Sequence, residues 1–182
     1  MQPLGTDHLL FLLGLMLVGG GPGRGGPTVI ALLVGHSLTL WGTTLGYLHL
    51  ALPPLEVVVA LSVLFLGPEI VRRWHGQHDV TQHFPWIVSL LLGMLHGAGF
   101  ASGYDGPAAA PADIPAGLLL FIAGVELTLL PAILLAVLLA RGCRRLQRSG
   151  SWLIAVMPGY AVGSLGAYLT VKRALQLLAP MI

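Results

Sequence analysis

Cysteine and charge are what this chain of 182 residues has least of. Its one cysteine, Cys143, excludes an internal disulfide and any zinc or iron–sulfur site built from several thiolates. Asp, Glu, Lys and Arg together make up 9% of the sequence, too little to cover the surface of a water-soluble domain. No glycine-rich phosphate-binding loop is present, so the chain itself is not expected to hydrolyse ATP. The sequence pI near 9.0 does not point to nucleic acid, because the basic residues sit at the ends of apolar stretches, where they fix orientation in a membrane.

What the chain has in quantity is apolar surface: 55% of residues are hydrophobic and mean hydropathy is +0.86. A helix needs roughly 20 apolar residues to cross a hydrocarbon core. Six segments approach that length, at residues 4–20, 28–50, 55–71, 85–101, 114–140 and 152–171. They predict an all-α fold, a polytopic membrane helix bundle of about six transmembrane helices, forming one domain over residues 1–182. The breaks are chemically clear. Gly19 to Pro27 is too rich in glycine for a helix, and Pro53-Pro54 suits the first turn of the third span. Residues 72–83 are polar, residues 103–115 are rich in Gly, Pro and Ala, and residues 141–151 are basic.

Arg24, Arg72, Arg73, Arg141, Arg144, Arg145 and Arg148 all fall in the first, third and fifth connections. The positive-inside rule places those connections in the cytoplasm and both termini outside. Lys172 and Arg173, beyond the sixth span, argue the other way but are outnumbered. The first span resembles a signal peptide in length. It has Asp7-His8 where a basic region would stand and no small-residue cleavage site, so it is read as a retained helix.

Ionisable groups inside such spans cost about 2.5–3.5 kcal/mol each on insertion scales, which makes each a candidate for function. They are Asp7, His8, His36, Glu56, Glu69, His96 and Glu126. His36 shares a helix face with Thr39 and Thr43. His96 lies among Gly93, Gly97 and Gly99, where missing side chains let another helix or a ligand approach the imidazole. Glu126 precedes Pro131, which deprives the Leu127 carbonyl of its helical partner. At about 1.5 Å per residue, His36, His96 and Glu126 fall near mid-membrane, with Asp7, His8 and Glu56 nearer the outer entrance. That arrangement reads as a path for a cation. Imidazole with carboxylate suits divalent transition metals, Ni²⁺, Co²⁺ or Zn²⁺, whereas Na⁺ or K⁺ would call for carbonyls and hydroxyls.

Each residue also has a plainer explanation. A histidine between helices commonly serves as a hydrogen bonder. Glu69 is expected to pair with Arg72 or Arg73, and Glu56 to complement the dipole at the start of its helix. His75, His78 and His83 form a loop cluster read as solvated, and His49 is read as interfacial. Trp41, Trp74, Trp86 and Trp152 mostly fall near span ends, as interfacial tryptophans do.

Three stretches resemble the HupE/UreJ family of hydrogenase- and urease-associated membrane proteins. They are Gly5-Thr6-Asp7-His8-Leu9-Leu10-Phe11-Leu12-Leu13, Gly35-His36-Ser37-Leu38-Thr39-Leu40 and Leu95-His96-Gly97-Ala98-Gly99-Phe100-Ala101. Gly124-Val125-Glu126-Leu127 resembles the fifth-helix motif of that family, and Glu56 and Glu69 fall where it places acidic residues on its third helix. The resemblance implies a permease, or a metal-binding accessory protein, for nickel or cobalt in the bacterial inner membrane. Asp7, His8, His36, His96 and Glu126 would then be the cation-handling residues.

Two other classes compete. A zinc-dependent intramembrane hydrolase would hold its metal with His8, His36 and His96 and activate a water. A structural subunit would use the same polar groups only to join helices. A rhomboid-type serine protease fits poorly, because His36 and Ser37 are adjacent and face different directions. Expected partners are membrane lipid, a divalent metal ion and a second copy of the chain, docked through Gly159-x-x-x-Gly163.

Overall fold

The computed structural model describes residues 6–19, 25–48, 51–77, 80–100, 116–147 and 152–179, and every element among them is helical. In chain order these are α1 (Thr6–Gly19), α2 (Gly25–Thr44), α3 (Leu52–Trp74), α4 (Val80–His83), α5 (Pro85–Phe100), α6 (Ala116–Gln147) and α7 (Trp152–Leu178).

Several ends differ from those expected. α2 begins at Gly25, inside the stretch thought unable to hold a helix, because Pro27 occupies its first turn, where no backbone donor is needed. It stops at Thr44 rather than near Leu50. Gly46 takes a left-handed φ of 77°, and the Tyr47 and Leu48 amides fold back onto the Gly42 carbonyl at 2.9 and 3.0 Å. α3 starts after an extended Ala51 with both prolines in its opening turn, so Glu56 lies beyond that turn rather than within it. α6 runs through Pro131 and on to Gln147, into the basic stretch expected to be a connection.

The extension of α6 has a physical cause. The last carbonyls of a helix lack partners within it, and α1 ends inside the bundle. Arg144 Nη1 on α6 donates to the Met16 carbonyl at 3.0 Å, and Arg73 Nη1 on α3 donates to that of Val18. Two cations from neighbouring helices thus complement the negative end of α1. At the opposite end Arg173 of α7 donates to the Glu56 carbonyl at 3.1 Å, which gives that basic residue a use within the bundle.

α1 is central. Phe11, Leu12, Leu15, Met16, Leu17 and Val18 are all buried, and they join Leu66 and Ile70 of α3, Ala132, Ile133 and Ala136 of α6 and Val162 of α7 in one core. Around α1 the helices pack most intimately as α3 with α7 and α2 with α5. Glycine makes both approaches possible. A Cβ on Gly67 would stand 2.5 Å from the Gly163 Cα and 3.0 Å from the Gly159 carbonyl, so the Gly159–Gly163 face meets α3 of the same chain. On the other pair, a Cβ at Gly35, Gly93 or Gly97 would collide with the backbone carbonyls of Leu90, Leu32 and His36.

Among the described residues two helical stretches, Pro53–Trp74 and Leu119–Leu146, are long and apolar enough to cross a membrane, with mean hydropathies of 1.9 and 2.4. The apolar stretches His8–Gly19 and Pro85–Gly99 are shorter. Only 28% of the most apolar window of α6 is buried; Leu127, Leu134 and Leu138 point outward from it.

Candidate functional site

Four of the expected ionisable residues inside the bundle form two pairs. In the first, His36 of α2 faces Glu126 of α6, with Nδ1 3.0 Å from Oε1. The same carboxylate oxygen accepts the Ser37 hydroxyl at 2.7 Å. His36 is 2% exposed, while the Glu126 side chain retains 23% of its surface. An ionised carboxylate can only accept, so Nδ1 carries the proton and Nε2 becomes the basic nitrogen of the ring. Carboxylates commonly hold metal-binding imidazoles in this way, fixing the tautomer and the ring plane. Glu126 therefore orients His36, as well as offering oxygens of its own.

The second pair is His8 of α1 with His96 of α5. Their ring centroids lie 5.1 Å apart, edge to face at 85°. Phe11, one turn after His8, stacks on His96 at 3.8 Å with 20° between the planes. His96 Nδ1 lies 2.9 Å from the Leu92 carbonyl, an acceptor, which again assigns the proton to Nδ1 and the lone pair to Nε2. That Nε2 is buried and has no hydrogen-bond partner among the described residues. A buried nitrogen in this condition costs about 1–3 kcal/mol relative to a satisfied one, and a cation would relieve the cost.

What ties the pairs together is the α2–α5 contact. Gly97, next to His96, rests against the His36 carbonyl. Thr39 donates to the Met94 carbonyl across the helices at 2.6 Å, while Thr43 turns back to the Thr39 carbonyl of its own helix at 2.6 Å. The polar stripe of α2 thus divides into a residue that binds its neighbour helix and one that does not. Among the described residues no three of His, Cys, Asp and Glu converge as a metal-holding group. Asp7 lies in the first turn of α1, and its side chain falls outside the described residues.

Glu56 is half-buried near the start of α3. What the structure shows of it is its backbone carbonyl, held by Arg173 at the start of α3. Glu69 is only 2% exposed, so its carboxylate does not reach for water as an interfacial residue would. Its Oε1 accepts Arg72 Nη1 at 3.0 Å, and its Oε2 has no hydrogen-bond partner among the described residues. His75 and His83 are exposed, and His49 and His78 lie outside the described residues. Two residues bear on the site beyond those expected: Ser37 as a partner of Glu126, and Phe11 as the stacking surface for His96. A hydroxyl flanking a buried histidine, and an aromatic one turn from another, were the available signals.

No curated protein and no solved structure matches the chain. A family model does, described as HupE / UreJ protein and aligned over residues 1–173. With that match extending over nearly the whole length and over every residue of both pairs, the chain belongs to the HupE/UreJ family.

Proposed function

We propose that this chain is an integral membrane protein with six crossing helices and that it handles a divalent transition-metal ion, nickel or cobalt, as its cargo. It acts as a permease or as a metal-binding accessory protein. The observation that carries the reading is the His36–Glu126 pair, a carboxylate-oriented imidazole in apolar helices where each ionisable group is costly to keep. The His96 Nε2 lone pair supplies a second point of attachment.

Two stations of two residues suit a cation that must leave again, since conduction needs sites that are attractive yet weak enough to release. A zinc hydrolase needs three converging ligands and an open fourth position. The bulk of exposed leucine on α6 supports lipid as the surrounding medium, because a helix of that hydropathy in a water-soluble protein would be mostly buried. The Arg-rich helix ends that meet α1 support a cytoplasmic position for that face and outward-facing, periplasmic termini.

The test is titration of the detergent-purified protein with Ni²⁺, Co²⁺ and Zn²⁺, alongside His36→Ala and His96→Ala. Saturable, exchangeable binding of Ni²⁺ or Co²⁺ that each substitution weakens at least tenfold is the expected result. Absence of any divalent binding would remove the metal reading and leave the histidines a helix-joining role. A stoichiometric zinc that survives chelation would favour the hydrolase.

A further inference from the structure

We infer that Ser37 determines ion specificity at the His36–Glu126 pair. With His36, its hydroxyl occupies one oxygen of the carboxylate, so Glu126 meets a cation through a single oxygen and calcium is disfavoured. The inference rests on the metal reading above. Glu126 Oε1 accepts the Ser37 hydroxyl at 2.7 Å and lies 3.0 Å from His36 Nδ1, the second donor. A carboxylate oxygen has two lone pairs to offer, so these two donors use both. Both hydrogen bonds that Glu126 makes among the described residues fall on Oε1, while the side chain keeps 23% of its surface.

The direction of the Ser37 hydroxyl is informative. A serine or threonine within a helix ordinarily turns its hydroxyl back to a carbonyl three or four residues earlier. Ser62 does so to Val59, Ser89 to Pro85 and Thr44 to Leu40, each at 2.7 Å. Ser37 instead crosses from α2 to a side chain of α6.

The oxygen left over decides which cations fit. Ca²⁺ gathers about six to eight oxygens and gains from a carboxylate that offers both of its own. Ni²⁺ and Co²⁺ take imidazole nitrogen readily, so a carboxylate limited to one oxygen costs them less. Without the hydroxyl, one lone pair of Oε1 comes free, and the carboxylate can turn both oxygens to a calcium ion.

The experiment measures binding of radiolabelled calcium to the detergent-purified full chain. Wild type is compared with Ser37→Ala, Ser37→Thr, and Ser37→Ala combined with Glu126→Gln. Alanine is a strong helix former and Ser37 is only partly buried, so α2 should keep its fold, which thermal melts check. Ser37→Ala is expected to bind calcium at least tenfold more tightly than wild type. Ser37→Thr, which keeps the hydroxyl, should behave as wild type, and the gain should vanish when Glu126→Gln is added. Infrared carboxylate bands give a second reading. The chain has only seven Asp and Glu residues, so the narrowed splitting that marks a two-oxygen contact is readable. Calcium should produce it in Ser37→Ala and not in wild type.

A Ser37→Ala chain that binds calcium no better than wild type overturns the proposal. So does a gain that Ser37→Thr shares, or one that survives Glu126→Gln, because neither would act through the hydroxyl on that carboxylate. Narrowed splitting in wild type overturns it as well. Nickel and cobalt titration of wild type separates this idea from the metal reading. A chain that binds neither ion, yet shows the hydroxyl-dependent calcium response, loses only that reading.

Discussion

Nδ1 of His36 on α2 lies 3.0 Å from Oε1 of Glu126 on α6, a residue 90 positions further along the sequence. The bond joins two helices that otherwise meet at few places, and it decides which imidazole nitrogen faces away from the carboxylate.

A double-mutant cycle on this pair should reveal strong coupling. His36→Ala and Glu126→Gln are each expected to weaken Ni²⁺ or Co²⁺ binding at least tenfold, about 1.4 kcal/mol. The double variant should be little worse than the more damaging single one, since removing either residue disorders the other. Strictly additive losses, read by isothermal titration, would mean that Glu126 does not act through His36.

Two glycines separate close packing from mere helix composition. Gly97→Ala would force a methyl group into the His36 carbonyl and should cost several degrees in thermal unfolding along with metal affinity. Gly124 is exposed and has open space where a Cβ would go. Gly124→Ala should be neutral or stabilising by up to about 1 kcal/mol, the propensity difference between the two residues in a helix. The opposite order in a melting experiment would mean that α2 and α5 do not touch at Gly97.

Glu69 presents a buried carboxylate whose one bonded partner among the described residues, Arg72, is half exposed. Glu69→Gln removes the cost of burying a charge and loses only a solvent-screened ion pair, so unfolding should change by less than about 1 kcal/mol. Arg72→Ala strands the carboxylate and should be the more damaging of the two. Combining both changes should recover part of that loss, and thermal melts of the three variants would show whether it does.

Orientation is testable with the native chain, because Cys143 is its one cysteine and lies on the last turns of α6, partly exposed. A membrane-impermeant maleimide should label it in inverted inner-membrane vesicles and leave it unmodified in intact spheroplasts. Labelling from the periplasmic side instead would reverse the assigned topology.

The sequence by itself determined that the chain is helical, where most of the helices lie, and which polar residues stand inside apolar surroundings. Those properties are local. A run of apolar residues or a proline in an opening turn acts within a few positions, and a charge in an apolar segment is conspicuous wherever the segment goes. Membership of the HupE/UreJ family was also legible, through short motifs around Asp7-His8, His36 and His96.

Only the tertiary structure decided the partners. Glu126 meets His36 and Ser37 rather than His96; His8 meets His96 across α1 and α5; Glu56 holds Arg173 through its backbone carbonyl. Helix ends that depend on distant residues also escaped sequence reading, as when α6 continues through its arginines to reach the carbonyls of α1. The physical reason is common to all of these. Which side chains touch depends on how closely two backbones approach, and that approach is set by glycines on both partners, as where Gly67 meets Gly163 within one chain rather than between two. A helical period shows which face a residue occupies, whereas the helix opposite that face is chosen by packing across the whole bundle.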